Sequence, residues 1–140
     1  MYEMIQALQE DAQRWLVEAE QGVKDAELLL RHEGYYPLCR LACLAAEKAM
    51  RALLLGRGRE FSKQSGLAAL SQQVAAAEPA MGTLTQSLVP LERFAIIDQA
   101  ADPHATSPPP PLYSRETARQ AIALARQAVI EVRRALSGAP

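Results

Sequence analysis

Apolar side chains return every three or four residues along most of this sequence, and nowhere do they alternate with polar ones as a half-buried strand requires. In the first stretch Trp15, Leu16, Ala19, Val23, Ala26, Leu29 and Leu30 share one side, while Glu18, Glu20, Gln21, Lys24, Asp25 and Glu27 take the other. This spacing predicts a helix from about Gln9 to His32, with Gly34 as its left-handed stop. A second helix is expected from Pro37 to about Leu55, buried through Leu38, Leu41, Ala42, Ala45, Ala49, Ala52 and Leu53 and ended by Gly56 and Gly58. Its small residues would let a neighbouring helix approach closely. A short third helix, Gly66 to Ala77, has Ser65 as its expected N-cap. A fourth runs through Met81, Leu84, Leu88, Leu91, Ala95 and Ile96, from about Ala80 to Ala100. Pro90 inside it predicts a kink or a division into two pieces. The last starts at an N-cap, Ser114, and reaches about Leu136 on a stripe of Ala118, Ala121, Ile122, Ala125, Val129 and Val132.

Between the last two helices, residues 101–112 hold Pro103 and the run Pro108 to Pro111, which cannot be helical and suits a stiff polyproline spacer. The expected architecture is all-α: an antiparallel up-and-down four-helix bundle with one additional short helix. A single domain is expected over residues 1–140, with its core between about 9 and 136.

Charge excludes little but directs attention. Lys+Arg 15 against Asp+Glu 16 gives a net charge of -1, so no global field draws the chain onto nucleic acid or an anionic membrane. No apolar run approaches the ~20 residues of a membrane span, and the N-terminus, with Glu3, Glu10 and Asp11, is unlike a signal peptide. Cys39 and Cys43, four apart on one predicted helix, are badly placed for a disulfide and suit reduced thiols in a cytoplasmic protein.

Several segments, in order, resemble one known family. Glu47-Lys48-Ala49-Met50-Arg51-Ala52-Leu53-Leu54 is similar to the second-helix signature of the HEPN family (higher eukaryotes and prokaryotes nucleotide-binding). Trp15-Leu16-Val17-Glu18-Ala19-Glu20, with Ala26-Glu27-Leu28-Leu29 and Gly34-Tyr35-Tyr36, resembles its first helix and turn. Leu91-Glu92-Arg93-Phe94 resembles the end of its penultimate long helix, and Tyr113-Ser114-Arg115-Glu116-Thr117-Ala118 its last helix. Two departures stand out. Ser65-Gly66-Leu67 occupies a place where many relatives carry a histidine before the leucine. The stretch Ile96 to Pro103 keeps only an acid–proline remnant of an Arg-Tyr-Pro-Asp-like segment.

Ribonucleolytic members of that family carry an arginine followed by four to six residues and a histidine, paired in a cleft between protomers to stabilise phosphate and assist 2′-hydroxyl attack without metal. Here the required positions before His104 are Ile97, Asp98 and Gln99, and before His32 they are Asp25, Ala26 and Glu27. None is arginine. The resemblance therefore implies a non-catalytic, homodimeric interaction and nucleotide-binding module. Its partner would be a minimal nucleotidyltransferase in a toxin–antitoxin-like system, with no bound cofactor. The alternative is a metal-independent ribonuclease toxin using Arg93 or Arg40 with His104.

Candidate nucleotide, phosphate or interface contacts are Arg40, Glu47, Lys48, Arg51, Arg93 and Asp98. The plainer reading of the second-helix set is a solvated face, with Glu47 and Arg51 as an intrahelical pair. Arg115, Arg119 and Arg126 share one side of the last helix. They suit either dipole compensation and solubility or a strip for an acidic partner or RNA phosphates. Cys39, Cys43, His32 and His104 lack metal-ligand spacing, so no metal is expected.

Overall fold

The computed structural model describes residues 1–62, 64–94 and 113–138. Helix α1 (Tyr2–Arg31) is followed by α2 (Tyr35–Gly56), α3 (Leu67–Ala77), a 3-10 turn (Pro79–Met81), α4 (Gly82–Ser87), a second 3-10 turn (Val89–Leu91) and α5 (Arg115–Ser137). No strand occurs among the described residues, and none of their helices is long and apolar enough to cross a membrane.

Ion pairs and hydrogen bonds between helices give their directions. Arg126 and Arg133 of α5 reach Glu27 and Glu20 of α1, at 2.6 and 3.1 Å, so those two helices run antiparallel. Arg115 near the start of α5 donates to the Tyr35 hydroxyl at 3.2 Å, while Arg57 just past α2 donates to the Ala135 carbonyl at 3.1 Å. Helices α2 and α5 are therefore parallel to one another. The segment from Pro79 to Phe94 runs the opposite way, since Phe94 packs on Tyr113 at the end where α5 begins, with ring centroids 6.0 Å apart. The alternating directions of an up-and-down bundle are all present, and α3 lies alongside α2 as the additional element.

Helix α2 sits at the centre. It buries twelve of its 22 residues, whereas the 30-residue α1 buries five. Small side chains make this possible: Ala42, Ala45, Ala46, Ala49 and Ala52 are fully or almost fully enclosed, and a Cβ added at Gly22 of α1 would stand 3.2 Å from that of Ala45. Larger side chains from the other elements, among them Leu70, Leu88, Leu91, Phe94 and Val132, fill the space around this narrow helix.

Four local expectations need correction. The first helix begins at Tyr2 rather than Gln9, and its first turns carry exposed Tyr2, Met4 and Ile5. They lie outside the stripe that marked the helix in sequence. The helix ends in a Schellman-type closure, with Glu33 N–H donating to Leu30 O and Gly34 N–H to Leu29 O. Its left-handed residue is Glu33, at φ 59°, and not Gly34. Gly34 is wanted for space, because a Cβ there would meet Leu29 Cδ2 at 3.1 Å. Ser65 is not the cap of α3; Gly66 holds the N-cap position and has no side chain to offer. Finally, the expected fourth helix opens with a 3-10 turn at Pro79–Met81 instead of an α-helix from Ala80, while its interruption at Pro90 is as expected, α4 ending at Ser87 and a second 3-10 turn following at Val89–Leu91. Each 3-10 turn carries a proline at its start, where the missing N–H costs least. Residues 95–100 of that expected helix, and the spacer 101–112, lie outside the described residues.

The expected start of the last helix holds. Ser114 Oγ accepts from the Thr117 N–H at 3.1 Å, and Gly138 closes the far end at φ 72°.

Candidate functional site

The second-helix residues singled out in sequence divide between two internal tasks. Glu47 is 6% exposed, so its carboxylate is almost withdrawn from water. It accepts a hydrogen bond from the Leu67 N–H, one of the donors that the start of α3 leaves unpaired. A side chain from α2 thus performs the capping that Gly66 cannot. Burial raises the Glu47 pKa above its ordinary 4.5, opposed by Arg51, by the Leu67 bond, and by Arg40 and Lys48.

Arg51 does not close the expected ion pair with Glu47. Its guanidinium lies over the rings of Trp15, at 5.3 Å, and Phe61, at 5.8 Å. It also donates to the Ser65 carbonyl at 3.2 Å. Trp15 and Phe61 meet edge to face, with centroids 6.4 Å apart. This clamp holds the link between α2 and α3 against α1. Lys48 turns to Glu18 of α1, 3.7 Å away. On the basic side of α5, Arg126 pairs with α1 and Arg115 bonds Tyr35, as Arg133 farther along pairs with α1, while Arg119 is exposed and forms no ion pair among the described residues.

Arg93 is placed differently. It is exposed, and its guanidinium covers the Phe94 ring at 4.9 Å. It borders a half-open groove of about 260 Å³ between residues 90–94 and the first half of α5. Pro90, Leu91, Phe94, Ala121 and Leu124 form its apolar wall, with Thr117 and Gln120 as the polar contributors from α5. Close by, Phe94, Tyr113 and Tyr36 make a chain of ring contacts, the last pair 5.0 Å apart. Cys39 is buried nearby; desolvation pushes its thiol up to about 11, only partly offset by the positive charge of Arg93. A thiol held protonated in this way is a packing group and a poor nucleophile.

Arg40, Lys48 and Arg51 all act electrostatically on Glu47, while Arg93 stands beside Phe94 and Cys39. Asp98 and His104 lie outside the described residues. No group of metal-ligating side chains occurs among the described residues. Reading the sequence missed Trp15 and Phe61 as partners of Arg51, and Thr117, Gln120 and Leu124 as groove residues. The last three recur at three- and four-residue steps beside the buried stripe of α5, a signal present in the sequence but absorbed into helix amphipathicity.

The sequence profile of the HEPN domain matches residues 12–135, nearly the full length of the packed helices. The chain belongs to the HEPN family. Its fold is also that of the crystal structure of ST0689, an archaeal HEPN homologue, with a TM-score of 0.70 at 22% identity over 89% of this chain and 97% of that one. No curated protein matches the sequence. Within this HEPN domain the second-helix signature residues Glu47 and Arg51 hold α3 and α1 in place, so at least part of the family pattern here is architectural.

Proposed function

We propose that this HEPN protein is a non-ribonucleolytic, homodimeric interaction and nucleotide-binding module that works with a minimal nucleotidyltransferase partner in a toxin–antitoxin-like system. The observation that carries the reading is the division of labour among its cations. Arg51, Lys48, Arg126 and Arg133 are engaged inside the protomer, while Arg93 makes no ion pair among the described residues and borders an open groove. One exposed guanidinium beside aromatic rings suits contact with an anionic ligand. It is a poor basis for ribonucleolysis without an imidazole at the spacing the family's nucleases use, and the sequence has arginine at none of the required positions before His32 or His104. Arg40 and Asp98 are the further proposed contacts.

Three measurements test the parts separately. Light scattering should give about 30 kDa, twice the 15.3 kDa chain; a monomer throughout the micromolar range removes the dimer. Calorimetry against a panel of nucleotides, with the protein alone and with a minimal nucleotidyltransferase partner, should show binding weakened by Arg93→Gln. RNA incubated in chelator should remain intact. Cleavage that disappears in His104→Ala would establish the ribonuclease instead.

A further inference from the structure

The groove beside Arg93 has two chemically distinct ends. Pro90, Leu91, Phe94 and Leu124 supply apolar walls, while Arg93 and Gln120 supply polar groups at the margin. Its volume of about 260 Å³ exceeds the roughly 150 Å³ apolar cavity that accepts benzene. An aromatic ring fits within that volume, and the space beyond it takes a short arm.

The guanidinium geometry says what the arm should carry. The Arg93 guanidinium carbon lies over the Phe94 ring, 4.9 Å from the centroid. A guanidinium held against a ring keeps N–H groups that can meet a carboxylate in bidentate fashion. The same contact limits the rotamers of a long side chain, so less entropy is lost when an anion binds. No carboxylate forms an ion pair with Arg93 among the described residues, whereas Arg57, Arg126 and Arg133 each have one. A ligand ring inside the groove would meet Phe94 in an offset or edge-to-face contact, the geometry aromatic pairs prefer.

We propose that the groove between residues 90–94 and α5 binds a small aromatic carboxylate, its ring between Phe94 and Leu124 and its carboxylate on Arg93. This goes beyond the nucleotide reading, and the two ligands compete for the same guanidinium.

The test is an isotope-edited NMR titration of the full chain at constant ionic strength with 3-phenylpropionate, 3-phenylpropanamide, propionate and AMP. For a ligand of about eleven heavy atoms in a half-open groove, 3-phenylpropionate should bind with Kd on the order of 1 mM, shifting Gln120 and Leu124. The neutral amide and propionate should each bind at least about tenfold more weakly, since each lacks one end of the ligand. Arg93→Gln should weaken 3-phenylpropionate by a similar factor. Ala123→Phe, at an exposed position on the groove, should block it without disturbing the core. No binding of 3-phenylpropionate, equal binding of the amide, or indifference to both substitutions would overturn the proposal. AMP binding through Arg93 without carboxylate binding would overturn it and leave the nucleotide reading standing; carboxylate binding without AMP would do the reverse.

Discussion

Glu47 sets burial against charge: a carboxylate almost enclosed, facing a helix start and three cations. Burial raises its pKa, so the fold favours the protonated form. Stability from this group is fullest below the ordinary value of 4.5 and declines as pH rises through the raised folded value. Glu47→Gln keeps an acceptor for the Leu67 N–H and removes the charge. The variant should therefore gain stability relative to the parent between about pH 4 and pH 7, read from urea midpoints; a gap moving the other way would show that the surrounding cations outweigh burial. Glu33 offers a second residue-scale test. A side chain in the left-handed region costs about 1–2 kcal/mol, and glycine's greater unfolded freedom returns part of that. Glu33→Gly should raise stability by roughly 0.5–1 kcal/mol in the same assay.

At the scale of elements, α1 and α2 depend on close approach. Gly22 faces Ala45 with room for hydrogen and little more, the added Cβ standing 3.2 Å from its neighbour. Gly22→Leu should cost about 1–3 kcal/mol through overpacking, despite leucine's better helix propensity. Chemical denaturation would check it, and a neutral result would mean that the helices separate easily. The periodic pattern announced α1, α2 and α5 clearly because each buries a continuous stripe along many turns. Between Pro79 and Leu91 it gave the buried side, and Pro90 the interruption, but not the 3-10 turns, for a physical reason. Met81, Leu84, Leu88 and Leu91 keep helical spacing because short helical turns in succession present the same side to the core. Spacing alone does not report whether the backbone between them is continuous.

Across the whole molecule, α5 is tied to α1 by Arg126–Glu27 and Arg133–Glu20, all four side chains partly open to water. A double-mutant cycle on Arg126 and Glu27 should yield only about 0.2–1 kcal/mol, shrinking in high salt; a larger, salt-insensitive coupling would mean that the pair is shielded from water. The burial of α2 between α1, α3 and α5 contributes far more, and that much was legible in the sequence. Runs of Ala and Leu at helical steps, a cap at Ser114, the proline breaks and the ordered family motifs determined an all-α HEPN fold, because amphipathicity and capping are local properties. Only the tertiary structure decided what the polar residues do. Glu47 and Arg51 lie four apart and look like partners, yet one meets the start of α3 and the other a pair of rings from α1 and the following loop. The groove at Arg93 likewise joins residues 90–94 to α5 across a long stretch of chain. Contacts of that kind depend on which faces meet when the helices pack, and no local pattern in a single helix records them.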